Sequence, residues 1–204
     1  MRWTSLRSAA VGGVMCREMV EFLVSGITVM LVNEPTYSQG STDNRRKYDY
    51  EYGGEDKFHH ACAHGVLVGD SEEPEVSAVI LGIGGATGTH KHSFAYKDDT
   101  CFIAAGDSVF ALGIPELDIK WSKKVDFATC FGIYYLVERD CLISWGEVDV
   151  LRMKPGGEEV WSFCGADIFT EGMEIHENSI ELTDFNNRVY TIDIDSGNEV
   201  EKYT

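Results

Sequence analysis

The second half of this 204-residue chain predicts an all-β fold built from one unit repeated about every forty residues. Two observations carry the prediction. Small and aromatic residues recur in phase: Cys101 with Cys141, Gly106 with Gly146, Asp107 with Glu147, Trp121 with Trp161, Trp145 with Phe185, Gly157 with Gly197, and Val160 with Val200. Between these marks run short apolar or alternating stretches closed by turn residues, as in CFIAA-GD-SVFAL, CLISW-GE-VDVLRM and IELTDF-NN-RVYTIDI. A fixed period near forty is the length of a four-stranded supersecondary unit such as a propeller blade. The expectation is a propeller-like tandem repeat of three to four blade-like units.

The elements follow in chain order. Residues 19–32 read as a hairpin: Val20, Phe22 and Val24 alternate with other residues, Ser25-Gly26 supplies the turn, and a β-rich run resumes at Ile27. Helix formers between Met15 and Val24 make a helix the competitor; the Ser-Gly break and the density of β-branched residues favour strands. Residues 33–57 are polar and tyrosine-rich, with Gly40, Gly53 and Gly54 as punctuation, a long stretch for a connection without structure of its own. A fainter copy of the repeat occupies residues 61–100, where residues 76–81 lie forty before the strand ending at Trp121 and residues 94–96 lie forty before 134–136. From Cys101 the copies are plain. Each supplies a strand, a tight turn at Gly106-Asp107 or its equivalent, a second strand, and a turn marked by Gly157 or Gly197, where a positive φ is expected. The last copy holds about two and a half strands, so the 19–32 hairpin is expected to complete it and close a ring. The rival is an open stack of three sheets whose edge the N-terminal segment covers. In domain terms, residues 1–60 carry the hairpin and polar loop, and residues 61–204 carry the repeats, packed as one compact domain.

Charge narrows the partners. Seventeen Lys and Arg against thirty-four Asp and Glu give a net charge of −17 and a pI near 4.6. Such a field repels phosphate backbones and anionic lipid, so neither nucleic acid nor membrane is expected as a partner. Residues 137–204 hold sixteen acidic and five basic residues, a net of −11 that would suit a basic protein. No run reaches the roughly 18 apolar residues of a membrane span. The N-terminal stretch does not read as a secretory leader, because Arg17, Glu18 and Glu21 interrupt any apolar core. The six cysteines, at 16, 62, 101, 130, 141 and 164, form no CxxC pair and are expected as reduced thiols in the cytoplasm.

The segments GDSVFALGIPELDIKW, GEVDVLRMKPGGEEVW and NNRVYTIDIDSGNEV resemble quinoprotein-like and WD40-like β-propeller repeats, over about residues 100–204. The chain is similar in general appearance to small bacterial proteins built from such units. The resemblance implies a propeller-like scaffold. Quinone chemistry does not carry over, since neither the longer chain nor the metal site of those enzymes can be mapped onto these residues. WD40-like propellers serve mostly as interaction platforms, and fold alone does not fix function.

Two sets of side chains are candidates for a site. Tyr37, Tyr48, Tyr50 and Tyr52 form an aromatic run suited to a protein interface, where a ring packs and its hydroxyl bonds. Five of the six histidines fall between residues 59 and 92. His60 and His64 would share a helix face, and His90 and His92 a strand face, so these four could hold zinc or a similar divalent metal with help from Glu55, Asp56 or Cys62. The loop GIGGATGTH lacks the lysine of a phosphate-binding loop and reads as an inter-strand connection. No catalytic triad order and no GxSxG occur. The sequence thus predicts a non-enzymatic protein-interaction module for a basic protein partner, of the acidic inhibitor or immunity type. The alternative is a small metal-binding protein or metal-dependent hydrolase centred on the histidines.

Overall fold

A computed structural model describes residues 19–54 and 60–200. It contains four β-sheets in sequence. The first has the order β1-β2-β4-β5-β3, with β1 Met19–Val24, β2 Ile27–Asn33, β3 Tyr50–Gly53, β4 Cys62–Gly69 and β5 Pro74–Gly82. The second runs β6 Phe94–Lys97, β7 Thr100–Ala105, β8 Ser108–Gly113, β9 Ile119–Lys124. The third runs β10 Cys130–Leu136, β11 Cys141–Gly146, β12 Asp149–Met153, β13 Glu159–Cys164. The fourth runs β14 Glu174–Ile175, β15 Ser179–Thr183, β16 Val189–Asp193, and a bridge from Ile192 to Glu199 begins a further strand. All pairings are antiparallel except β3 with β5. These are propeller-like blades, as the repeat predicts.

The sheets are offset from the sequence repeat by one strand. Residues 130–136, which close one sequence copy, form the first edge strand of the next sheet. Each copy is therefore stitched to its successor by sharing a strand across the boundary.

The in-phase tryptophans and glycines form one contact between blades. Trp121 on β9 donates its indole N–H to the Pro155 carbonyl at 3.0 Å, and Trp161 on β13 donates to the Ile194 carbonyl at 2.9 Å. A Cβ on Gly157 (φ +92°) would lie 3.1 Å from the Trp121 ring, and one on Gly197 (φ +73°) 2.6 Å from Trp161. Left-handed backbone and close ring approach both demand glycine there. One period earlier, Leu117 occupies the equivalent place with φ 57°, and its carbonyl accepts from the Tyr52 hydroxyl at 2.9 Å.

Cores lie between successive sheets. Leu31, Val66 and Ile80 meet Ile103 and Leu112; Phe102 and Ala111 meet Ile133 and Leu142; Ile143 and Val150 meet Ile180, Leu182 and Tyr190. Each such fully buried aliphatic side chain contributes about 1.5–3 kcal/mol. Cys101 and Cys141 are buried thiols in these layers, as their apolar surroundings predict.

The 19–32 hairpin forms with its turn at Ser25 (φ 50°) and Gly26 (φ 85°), but its expected role is corrected. β2 pairs with β4 in the first sheet, and among the described residues neither β1 nor β2 pairs with a strand of 181–200. The reason is that β2 is apolar on both faces. Val29 and Leu31 meet the core shared with the second sheet, whereas Met30 and Val32 face the other way, so β2 belongs inside a sheet covered on both sides.

Residues 34–49 cover that second face. Tyr37 packs on Ala63, Val79 and Leu81, and Tyr48 contacts the clusters around Val79 and around Met30, Val32 and Leu67. The chain then returns as β3. At the far end of the stack, the outward face of the fourth sheet is polar, lined by Glu181, Thr183, Thr191 and Asp193, while Ile180, Leu182 and Ile192 point inward. Among the described residues, neither end face of the stack is covered by a further blade, as in terminal repeats of stacked proteins.

Candidate functional site

The four tyrosines of the predicted aromatic run divide between two faces. Tyr37 and Tyr48 lie on the outward face of the first sheet, where Tyr37 donates to Glu51 and Tyr48 donates to Glu34 at 2.9 Å. Tyr50 and Tyr52, two apart on β3, stack on each other with centroids 5.9 Å apart; Tyr52 packs toward the second sheet and Tyr50 remains exposed. Tyr37 and Tyr48 serve the fold.

The histidines are likewise dispersed. Glu55, Asp56 and His59 lie outside the described residues. His60 donates from Nε2 to the Tyr37 carbonyl at 2.9 Å. His64, fully buried on β4, donates from Nε2 to the Thr87 carbonyl at 3.0 Å, while its Nδ1 has no hydrogen-bond partner among the described residues. His90 and His92 are neighbours with centroids 6.1 Å apart, and His92 packs on Tyr134 at 4.7 Å. Burial, followed by Lys91 and His90, lowers the His92 pKa to about 4, and burial pushes the Tyr134 hydroxyl up to about 12. Among the described residues no three His, Cys, Asp or Glu side chains come together as metal ligands.

Cys62 and His64, i and i+2 on β4, point to the same side and meet Thr87 from the glycine-rich loop, whose hydroxyl donates to Cys62 Sγ at 3.3 Å. Burial raises the Cys62 thiol pKa, but hydrogen bonding and charge from His64 and the Thr87 contacts outweigh it and leave the thiol below its ordinary value. Cys101 and Cys130, buried without such partners, are pushed up to about 12. The glycines of GIGG exist for close approach: a Cβ on Gly84 (φ +87°) would lie 2.4 Å from the Ala128 carbonyl oxygen, and one on Gly85 1.8 Å from Thr129 Oγ1. This loop is a packing element.

The loops at one end of the sheets form a continuous hydrogen-bonded rim. Asp107 N–H donates to Ile83 O (2.7 Å), Gly85 to Ala128 (2.9 Å), Glu147 to Thr129 (2.8 Å), Phe169 to Glu147 (2.8 Å) and Phe185 to Ile168 (2.8 Å). Buried aspartates brace it. Asp126 Oδ1 accepts from Ala128 (2.6 Å) and Thr129 (2.8 Å), and its Oδ2 accepts from Val148 (2.9 Å) and Asp149 (2.8 Å). Asp184 accepts from the backbone of Asn186 and Arg188 and from the Tyr190 hydroxyl, each at 2.9 Å. Three apolar side chains nevertheless project from this rim: Phe127 is 80% exposed, Phe185 66% and Ile168 38%. Each follows an aspartate, in Asp126-Phe127, Asp167-Ile168 and Asp184-Phe185. The sequence alone does not mark the rim by this dipeptide, since Asp149-Val150 and Asp193-Ile194 repeat it with a buried apolar residue.

Comparison with known proteins agrees with the fold and goes no further. No protein-family model and no curated protein matches the sequence. The chain is similar to the AfRom2 CNH domain (TM-score 0.53, 7% identity, 90% of this chain and 53% of that one). It is similar also to BamB from Moraxella catarrhalis (TM-score 0.53, 9% identity, 89% of this chain and 48% of that one). A WD40 domain of Neurospora crassa Pan2 aligns over 54% of this chain and 36% of its own, at 14% identity and a TM-score of 0.45. The chain is a β-propeller-like structure spanning about half the length of the first two. At these identities the likeness concerns the fold alone.

Proposed function

We propose that this chain is a non-enzymatic, cytoplasmic protein-interaction module that binds a basic protein, with inhibition of that partner by charge complementarity as the finer reading. One observation carries it: the net charge of −17 sits on a blade scaffold in which, among the described residues, seven of the seventeen Lys and Arg are already paired with the chain's own carboxylates. Lys97, Lys120, Lys123, Lys124, Arg139, Arg152 and Arg188 each form an ion pair with a carboxylate of the chain. An acidic excess of this size creates a field that accelerates association with a positively charged surface and selects against acidic ones.

The test is capture on the immobilised chain from a lysate of its own source, at about 0.05 M and about 0.5 M salt, where screening shortens the reach of charge from about 14 Å to about 4 Å. A captured set enriched in basic proteins and released at high salt supports the reading. Neutral or acidic proteins held equally at both salts refute it.

A further inference from the structure

We infer that the loop rim between the second and fourth sheets is the docking surface, and that it takes a basic protein segment carrying apolar anchor residues among its lysines and arginines. This rests on the reading of the chain as a module for a basic protein and adds where and how that partner sits.

Three properties of the rim carry the inference. The first is unexplained apolar exposure. Phe127 and Phe185 leave most of their surface in water, although the loops holding them are fixed by the bonds described above. An aromatic ring held rigid and exposed loses little entropy on binding, which is the property of interface anchors.

The second is a construction used three times. Buried Asp126 and Asp184 each accept two backbone N–H groups of their own turn, and exposed Asp167 accepts the Ile168 N–H and the Asn186 side-chain amide; in all three the following apolar side chain points away. The turn chemistry therefore displays the apolar group instead of burying it.

The third is charge. Glu147 lies between Phe127 and Ile168 along the hydrogen-bonded path, and Asp167 and Glu171 flank Ile168. Among the described residues none of these three carboxylates is in an ion pair. The cations of the same stretch are neutralised: Lys124, 5.6 Å from the Phe127 ring centroid, pairs with Asp107 at 2.9 Å, and Arg188 pairs with Glu199 at 3.1 Å. Lys91 stands in the preceding connection, outside this stretch. Apolar points separated by carboxylates that are in no ion pair among the described residues match a segment whose apolar residues alternate with basic ones.

The experiment is selection of a random peptide library displayed on phage against the full chain, followed by affinity measurement of synthetic representatives. The expected enriched peptides combine Lys or Arg with Phe, Trp or Leu. Their affinity should fall about tenfold or more in F127S/F185S and several-fold in E147K. Val137→Ser, exposed in the β10–β11 connection at the opposite end of the third sheet, should leave it unchanged. Matching thermal melts of F127S/F185S and the wild type exclude misfolding, since both rings are already in solvent. If basic peptides bind in a salt-dependent way but F127S/F185S retains full affinity, the rim is wrong and the module reading stands. If the enriched peptides are not basic, or none is enriched, both fail.

Discussion

Replacing Asp126 by asparagine preserves the side chain's shape and removes half of its acceptor capacity. In the native loop both carboxylate oxygens accept two backbone N–H groups each, so one side chain ties the 125–129 connection to the β11–β12 turn. Asparagine can keep its oxygen on Ala128 and Thr129. Its amide then faces the Val148 and Asp149 N–H groups, donor against donor. Two buried or half-buried donors left without an acceptor cost about 1–3 kcal/mol each, so the expected loss is about 3–4 kcal/mol after local relaxation. For a chain of this size each kcal/mol corresponds to about 2–4 °C, which gives a fall in Tm of about 6–16 °C. Differential scanning calorimetry of wild type and Asp126→Asn at neutral pH measures it. Asp149 supplies a second readout: burial, and then the nearby Asp126 charge, raise its pKa, so neutralising residue 126 should bring it back toward an ordinary carboxyl. A Tm change under about 2 °C would refute the bracing role.

Three further outcomes follow from the same structure. In the folded protein, thiol labelling followed by mass spectrometry should modify exposed Cys164 first and Cys62 ahead of Cys101 and Cys130, whose thiols are pushed up to about 12; equal rates for the last three would remove the role given to His64 and Thr87. His92 has a folded pKa lowered from 6.5 to about 4, so its contribution to stability is present above pH 6.5 and lost as pH falls toward 4. Because the ring is partly solvated that contribution is about 1 kcal/mol, and the acid slope of Tm over this window should flatten in His92→Gln. Gly65→Ala would place a Cβ 2.1 Å from Tyr48 Oη and so lift the 34–49 segment, at a cost of about 1–3 kcal/mol. In the double variant with Tyr48→Ala the two losses should be less than additive; full additivity by urea denaturation would mean that the two residues do not meet.

Much of the scaffold was legible because it is written in local or periodic signals. Ser25-Gly26 marks a turn by its backbone freedom alone, and the phase of Trp121, Trp161, Gly157 and Gly197 follows from one contact made repeatedly between adjacent blades. The hairpin's neighbour was not legible, because β2 offers apolar residues to both faces and the sequence does not say which sheet will cover them. The polar 33–57 stretch read as a connection without structure of its own; Tyr37, Tyr48 and Tyr52 reach hydrogen-bond partners and packing surfaces far away in sequence, and β3 joins the first sheet in parallel, a pairing that no turn signal announces. The histidines looked like a cluster because they are close in sequence. On strands and turns their side chains leave in different directions, and His64 instead meets Thr87, 23 residues on.

By itself the sequence determined the strand content, the forty-residue repeat, the buried place of Cys101 and Cys141 and the acidic field, since each depends on residue type or spacing alone. Only the tertiary structure decided that sheets are offset by one strand from the repeat, that residues 34–49 cover the first sheet, and that Phe127, Ile168 and Phe185 share one rim. These depend on contacts between residues far apart in the chain, whose geometry is fixed only when all four sheets pack together.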